Sequence, residues 1–501
     1  MAKKQVQNNK LKILMVTSEA VPFAKSGGLG DMVSALALAL ADLGHDVRLV
    51  MPRYYSITTS GKTQLPQPLG VPVGWGEQWC AVYTSFVKKE LVPVYFLDHE
   101  RYFGRQGIYG ATSQESYDDN AERYTFLSRG ALQLCKTLRW QPDIVHSHDW
   151  PSALVSVYLK TWEKEGFFAK TASIFTIHNL GYQGWFDKHQ LVHTQLSWHD
   201  YFTFGLERHG GINLMQAGIV SADAITTVSP TYAKEIQQPQ GGFGLDRLLS
   251  QRRAVLHGIL NGVDYTEWNP EADRFIAPLN YSVKNMGNKA KVKALLQQEM
   301  GLPVDAQVPV FGMVTRFAEQ KGLGELIGPS HGSLYRICQD MAVQFVVVGT
   351  GESWCEQELR TLQDKLPNLR IKIVFDNRMA HLVEAGSDFF LMPSRYEPCG
   401  LNQMYSLRYG TLPIVRATGG LADTVVNYDE KTGSGTGFMF YDLTPQAIYD
   451  SIGWATWAYY NKPKHIQAMR QQAMSQNFDW SQSAQQYIDV YTSTLGQKNP
   501  G

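Results

Sequence analysis

The chain has 501 residues, too many for a single hydrophobic core, so two or three domains are expected. Hydrophobic residues make up 44% and charged residues 18%, which excludes a disordered chain. Lys plus Arg equals Asp plus Glu at 46 each, a balance that argues against a nucleic-acid binder and lends no support to binding of an anionic membrane.

The basic start, Met1–Lys12, is followed by an apolar stretch, Ile13–Val16, too short for a signal-peptide core. No apolar run reaches the length of a membrane span, and cytoplasmic localisation is expected, or a plastid were the source a plant. Lys12–Thr17 reads as a buried parallel strand. A glycine-rich turn, Lys25-Ser26-Gly27-Gly28-Leu29-Gly30, leads to Asp31 at the expected N-cap of a helix over Met32–Leu43, which Gly44 stops. Asp46–Met51 reads as a second strand, completing a β-loop-α-β unit. Strands follow at Asp143–Val145, Ser173–Ile177, Ala224–Val228 and Val255–Leu260. A second series comprises Val310–Thr315, Phe345–Val348, Ile371–Phe375, Phe389–Met392 and Leu412–Val415. Gln485–Tyr491 reads as a last helix. The five cysteines, Cys80, Cys135, Cys338, Cys355 and Cys399, are odd in number and scattered without a C-x-x-C pair, which fits a reducing compartment and not a structural zinc.

Two such series predict an α/β chain of two Rossmann-like domains facing across a deep cleft. The expected division is 1–268, 269–479 and a C-terminal helix, 480–501, with the seam near Trp268–Pro278 where Asn269-Pro270 marks a turn. In such sheets ligands bind beyond the carboxyl ends of the strands. The first glycine loop suits a diphosphate, because glycines admit a close backbone approach, the helix N-terminus favours an anion and Lys25 adds positive charge. A plain strand-to-helix turn with a solvated lysine is the other reading. A nicotinamide dinucleotide fits poorly: the loop lacks the G-x-G-x-x-G spacing, and no acidic residue follows the second strand until Glu77.

The loop Lys25–Asp31 resembles the K-x-G-G-L-x-D signature of bacterial glycogen synthases and plant starch synthases. The resemblance continues in order through His146-Ser147-His148-Asp149-Trp150, Thr176-Ile177-His178-Asn179, Val228–Tyr232, Gly242-Phe243-Gly244-Leu245 and Asn261-Gly262-Val263-Asp264. It runs on through Arg316, Gln320-Lys321-Gly322, Gly349-Thr350-Gly351, Pro393–Leu401, Gly410–Pro413 and Thr418-Gly419-Gly420-Leu421. It implies the two-domain B-type glycosyltransferase (GT-B) fold, a final helix from Trp480 onward packed on the first domain, and retention of the α-anomer. The implied reaction is transfer of glucose from a nucleotide-glucose, ADP-glucose in most bacterial and plant members, to the end of an α-1,4-glucan, with no metal and no cofactor. Three departures stand out. Tyr405 occupies the place where many related retaining transferases carry a second glutamate, as it does in the glycogen and starch synthases themselves. The usual G-Y-G-L is Gly242-Phe243-Gly244-Leu245 here, and Leu323–Met341 matches poorly, its Gly-Pro-Ser-His-Gly run pointing to an altered helix start or loop.

Breaking a bond to a diphosphate builds negative charge on the leaving group, which needs fixed cations. Lys25, Arg316 and Lys321 match the family's donor-site positions. The amides of Gly27 and Gly28, and those around Gly419 and Gly420, are candidates to hold phosphate or sugar oxygens. Gly349 would admit a nucleoside, and Phe375, at a strand end, would stack on adenine or else lie in the core. The resemblance places Glu397 by the sugar's outer hydroxyls, as a positioning and electrostatic group and not a nucleophile. Same-face transfer, with the departing phosphate helping to deprotonate the acceptor, is preferred over double displacement, which stays open. His178, through ring or carbonyl, and Asn179 are expected at the acceptor, Asp149 at acceptor or sugar, and Asn261 at a sugar hydroxyl or in a turn. Asp31, Cys399, Gly400, Leu401 and Thr418 are carried over with their motifs as substrate-binding positions, Cys399 not as a nucleophile. His146 and His148 lack a third metal ligand. Among 25 Tyr and 12 Trp, most belong to the core and some exposed ones would hold glucan. The alternatives are another GT-B retaining hexosyltransferase, with a UDP-glucose donor or a sucrose-type acceptor, and a catalytically silent glucan-binding homologue.

Overall fold

The computed structural model describes residues 10–88, 90–112, 115–328 and 332–499. The chain forms two compact units, Met1–Gly262 together with Trp480–Gly501, and Val263–Asp479. The basic start up to Asn9 and Pro329-Ser330-His331 of the Gly-Pro-Ser-His-Gly run lie outside the described residues; short helices Leu323–Ile327 and Leu334–Asp340 stand on either side of that run.

Among the described residues the first unit is built on a ten-stranded sheet. Lys12–Val16 lies at its centre, parallel to Asp46–Pro52 on one side and to Ile144–His148 on the other. Ala172–Ile177, Ala224–Thr227 and Leu256–Gly258 extend the second side in parallel, and Pro93–Asp98 extends the first. The outer strands Leu69–Val73 and Gly76–Phe86 are antiparallel. Strand order therefore reverses at Lys12–Val16, the switch point at which a doubly wound sheet opens a crevice beyond its strand ends. A small antiparallel sheet joins Trp185–Asp187, Gly211–Asn213 and Glu207–Arg208.

Helix Trp480–Lys498 completes this unit. Trp480 lies so close over Gly262 that a Cβ there would come within 2.7 Å of its ring. The Tyr491 hydroxyl is hydrogen-bonded to His146 Nδ1 at 2.8 Å, and Ser483 donates to the Leu260 carbonyl at 2.6 Å.

The second unit has six parallel strands in the order Leu369–Ile373, Gln344–Gly349, Val310–Val314, Phe389–Met392, Leu412–Arg416 and Phe438–Phe440. Successive side chains of a strand alternate between faces, so each strand feeds two cores. Phe311, Phe345, Val347, Phe389 and Leu391 enter one, and Val310, Val346, Val348, Phe390 and Met392 the other. The order reverses between Val310–Val314 and Phe389–Met392, which lead to Arg316 and Glu397.

The joint lies before Val263, not after Trp268. The Val263 N–H already donates to the Phe478 carbonyl at 2.7 Å within the second unit. Trp268 is sandwiched between His381 and Tyr405, with ring centroids 3.8 and 3.9 Å apart and nearly parallel planes. Tyr405, which stands where related transferases carry a second glutamate, is thus a stacking residue here.

Candidate active site

In the first unit the glycine-rich loop follows the central strand. The helix after it spans Gly28–Asp42, with Gly27 as its N-cap, so Asp31 sits in the first turn and does not cap. Gly27 supplies no side-chain oxygen, and the helix N-terminus keeps its attraction for an anion. Lys25 Nζ lies 3.0 and 3.1 Å from the Asp31 carboxylate oxygens, an exposed pair of little consequence for stability. The Gly27 N–H donates to Glu19 at 3.3 Å, so it is engaged within the protein and not held ready for a phosphate. No motif in the sequence points to Glu19, because only the fold brings it under the loop.

Strand Ile144–His148 ends immediately before Asp149, and Ala172–Ile177 immediately before His178. Asp149 takes up a positive φ of 54°, uncommon for a residue with a Cβ, and accepts the His178 N–H at 2.8 Å. Burial pushes its carboxyl up to about 8, against the N–H groups of His178 and Asn179. His178 Nε2 faces His148 Nδ1 at 3.1 Å. Both nitrogens of His146 are engaged, by Tyr491 and by Thr176 Oγ1. Burial holds His146 and His178 down to about 3 and His148 well below its ordinary value, so all three are neutral at pH 7. Asn261, 6% exposed, leaves its Oδ1 without a hydrogen-bond partner, an orphan that a bound hydroxyl would satisfy. The aromatic residues divide clearly: Tyr54, Tyr102 and Tyr124 are core, whereas Trp75, Trp198 and Phe202 are exposed.

The histidines set the acid limit of this unit. In the unfolded chain each titrates near 6.5, and in the folded unit His146 and His178 titrate near 3. The unfolded state therefore takes up more protons as pH falls. The stability is full above 6.5 and declines below it by about 1.4 kcal/mol per pH unit for each histidine. Asp149 works oppositely: its contribution is full below 3.8 and lost as pH rises through about 8. Three histidines outweigh one carboxyl, so the urea midpoint falls from pH 6.5 to pH 4.5; a flat midpoint across that range would contradict the neutral trio.

In the second unit Arg316 is exposed just beyond strand Val310–Val314, and Lys321 follows in a 3₁₀ turn, Glu319–Lys321. Lys321 Nζ meets Glu397 Oε2 at 2.6 Å, and the Ser394 hydroxyl donates to the same oxygen at 2.9 Å. Glu397 is 6% exposed. Backbone ties fix this geometry. Arg395 N–H donates to the Gln320 carbonyl at 2.8 Å, the Gln320 amide donates to the Tyr396 carbonyl at 3.2 Å, and the Asn402 amide donates to the Val314 carbonyl at 3.0 Å. Lys321 and Glu397 are thus joined at the switch point, and Arg316 follows one of the two strands that flank it. Lys321, read from the sequence as a phosphate cation, is here the counter-ion of Glu397.

Gly419 and Gly420 have a steric reason for being glycine. Gly420 N–H donates to the Glu397 and Pro398 carbonyls, both at 3.2 Å, so it is not presented to a ligand. A Cβ on Gly419 would run into the Glu397 carbonyl, and one on Gly420 into that of Cys399. Thr418 is the N-cap of helix Gly419–Thr424. Gly400, at φ +69°, and Leu401 lead from the Glu397 turn into helix Asn402–Arg408. Gly349 packs against the Thr315 carbonyl, and its own carbonyl accepts the Val374 N–H at 3.1 Å. Strand Leu369–Ile373 ends before Phe375, whose ring is 84% exposed and therefore not a core residue. Cys399 is buried. Among the described residues no three His, Cys, Asp or Glu side chains form a metal-ligand group, and no helix is long and apolar enough to cross a membrane.

Comparison with known proteins agrees with this architecture. The family profile described as "Starch synthase catalytic domain" matches residues 12–251, and "Glycosyl transferases group 1" matches residues 297–472. The chain is 53% identical over 488 residues to a glycogen synthase of Treponema denticola, covering 97% of this chain and 99% of that one. It is 44% identical over 495 residues to glycogen synthase 1 of Geobacter metallireducens, covering 98% and 97%. The catalytic domain of Starch Synthase IV from Arabidopsis thaliana, solved bound to ADP and acarbose, superposes with a TM-score of 0.88 at 29% identity, covering 97% and 100%. Sucrose-phosphate synthase from Thermosynechococcus elongatus, at 18% identity and a TM-score of 0.58 over 97% and 100% of the two chains, shares the fold alone. Matched over nearly its whole length by glycogen synthases, and in three dimensions by a starch synthase catalytic domain, the chain has the GT-B fold and belongs to the glycogen/starch synthase family of retaining glucosyltransferases, which join a nucleotide-sugar donor to a glucan acceptor.

Proposed function

We propose that the chain transfers glucose from ADP-glucose to the non-reducing end of an α-1,4-glucan, without a metal ion, through the residues gathered at the two switch points. The observation that carries this is the Lys321–Glu397 pair, at 2.6 Å, at the switch point flanked by the strand that Arg316 follows. A carboxylate held by an ammonium and a hydroxyl is a fixed dipole that can face a sugar as it becomes oxocarbenium-like. Arg316 adds a guanidinium at this point of the second unit, and its planar fork suits phosphate oxygens. Lys25 and the N-terminus of helix Gly28–Asp42 add an anion site in the first unit. The bond between the anomeric carbon and the diphosphate oxygen breaks, the acceptor hydroxyl oxygen bonds to the same carbon on the same face, and its proton passes to the departing phosphate. Neutral His178, Asn179, Asp149 and the unsatisfied Oδ1 of Asn261 supply polar contacts for sugar hydroxyls. Phe375, exposed beyond its strand, offers a face to the base. The ADP in the starch synthase structure supports the adenine nucleotide as donor.

The test is transfer of radiolabelled glucose into glycogen, with ADP-glucose and UDP-glucose in competition. Label from ADP-glucose is expected to dominate and to persist in EDTA. Lys25→Ala is expected to remain folded and to lose roughly 100-fold in rate, as for a lost oxyanion donor. Abolition by EDTA would refute the metal-free route, a short product on fructose or another acceptor would point to a different hexosyltransferase, and glucan retention without turnover of either nucleotide would leave a silent binding protein.

A further inference from the structure

Glu19 has the marks of a working residue without a place in the chemistry. It lies just beyond strand Lys12–Val16, and its backbone is pinned by Thr17, whose Oγ1 accepts the Glu19 N–H at 3.1 Å and donates to the Glu19 carbonyl at 2.8 Å. The residue is 2% exposed. Its two carboxylate oxygens receive the Ser26 N–H at 2.5 Å, the Ser26 hydroxyl at 2.7 Å, the Gly27 N–H at 3.3 Å and the Tyr109 hydroxyl at 2.7 Å. An ionised carboxylate has about four lone-pair sites, so these donors saturate it. A buried carboxylate whose acceptor sites are all filled costs little and is rigid; one left half-satisfied would be costly.

The donor from the far side is itself fixed. Tyr109 lies against Tyr124 and Trp150, with centroids at 6.0 and 5.9 Å, and its carbonyl accepts the Asn120 amide at 2.8 Å. Arg123, wholly buried, donates to the adjacent Ile108 carbonyl at 3.0 Å. A chain of contacts thus runs from helix Asn120–Thr137 through Tyr109 and Glu19 to the two residues that separate Lys25 from helix Gly28–Asp42.

We infer that Glu19 and Tyr109 are positioning residues for glucosyl transfer. The Glu19 carboxylate, steadied by the Tyr109 hydroxyl, fixes the backbone at Ser26 and Gly27, and so sets where Lys25 and the first N–H groups of helix Gly28–Asp42 meet the donor's phosphates. The inference rests on the reading of that loop as a phosphate site. It explains why a carboxylate is tolerated beneath a loop meant for an anion: all its acceptor capacity turns inward on the loop's own donors.

The test uses the full-length enzyme with Glu19→Gln, Tyr109→Phe, Lys25→Ala and the two double variants that pair Glu19→Gln with each of the others. A displacement of the loop by about 1 Å should cost Glu19→Gln roughly 100-fold in kcat/KM for the donor. Affinity for glycogen, read by gel retardation, should be unchanged. Tyr109→Phe, which keeps the ring's packing, should lose roughly tenfold, since it removes one donor of four. Because all three act through one loop, Glu19→Gln should cost the Lys25→Ala enzyme much less than it costs the parent, leaving only its effect on the helix N–H groups, and Tyr109→Phe should add nothing to Glu19→Gln. Multiplicative losses in the double variants, unchanged donor kcat/KM, or equal loss of glycogen affinity would overturn the proposal. Should Glu19→Gln fail to fold, Tyr109→Phe decides alone: parental donor kcat/KM defeats the inference. If Lys25→Ala retains full activity, it is the phosphate reading of the loop that falls.

Discussion

Glu397→Gln lowers kcat by roughly two to three orders of magnitude and leaves the second unit folded. The substitution keeps the size of the side chain and its hydrogen bond from Ser394, but removes the negative charge that pairs with Lys321 at 2.6 Å. The lost interaction grows as the sugar gains positive character, so kcat and kcat/KM should fall together while the donor KM changes little. Steady-state kinetics with glycogen at saturation measure this. A kcat within a few-fold of the parent would remove Glu397 from the reaction and leave it a structural acid. Lys321→Ala is a different experiment: it strands a carboxylate in a buried position, and breaking such a pair costs about 3–5 kcal/mol in stability.

Gly420→Ala should be damaging out of proportion to one methyl group. The added Cβ would lie 2.6 Å from the carbonyl carbon and 2.7 Å from the Cα of Cys399, both backbone atoms that no rotamer change can move. Relief requires the Glu397-Pro398-Cys399 turn to shift, at a cost of about 3 kcal/mol in the second unit. A shift of about 1 Å at Glu397 would also cost on the order of 100-fold in kcat. Gly324→Ala is the matched control: it lies in helix Leu323–Ile327 with nothing within 4 Å of the new Cβ, and should be neutral or stabilising by up to ~1 kcal/mol. Chemical denaturation and kinetics on both variants decide. Equal behaviour of the two would show that the turn is free to move.

Much of this architecture is legible in the amino-acid sequence, for a physical reason. Parallel strands buried on both faces are nearly continuous apolar runs, so Ile13–Val16 and Val310–Val314 announce themselves. Gly76–Phe86 does not, because it is half-exposed and antiparallel, and Trp79, Tyr83 and Phe86 blur its alternation. Asp31 looks like the helix cap because capping rules seek a local side chain, whereas here Glu19, from beyond the preceding strand's end, binds the loop amides. Motif order is enough to single out Glu397 and Lys321, but their mutual contact depends on residues 76 positions apart meeting. Gly419 and Gly420 are legible as special positions. Their reason is not, since a backbone's need for room against Glu397 and Cys399 exists only in three dimensions.

The first unit is closed by the last segment of the chain, and this bears on how the protein is made. A ribosome delivers Lys10–Gly262 long before Trp480 emerges, with all of Val263–Asp479 in between. Through that interval His146 lacks the Tyr491 hydroxyl, and the surface over Gly262 lacks Trp480. The nascent unit therefore has its ten strands but lacks the helix that covers part of them, leaving apolar surface open to solvent, the species most in need of chaperone cover. It becomes whole only once Trp480–Lys498 has been made, after the intervening unit has had time to fold.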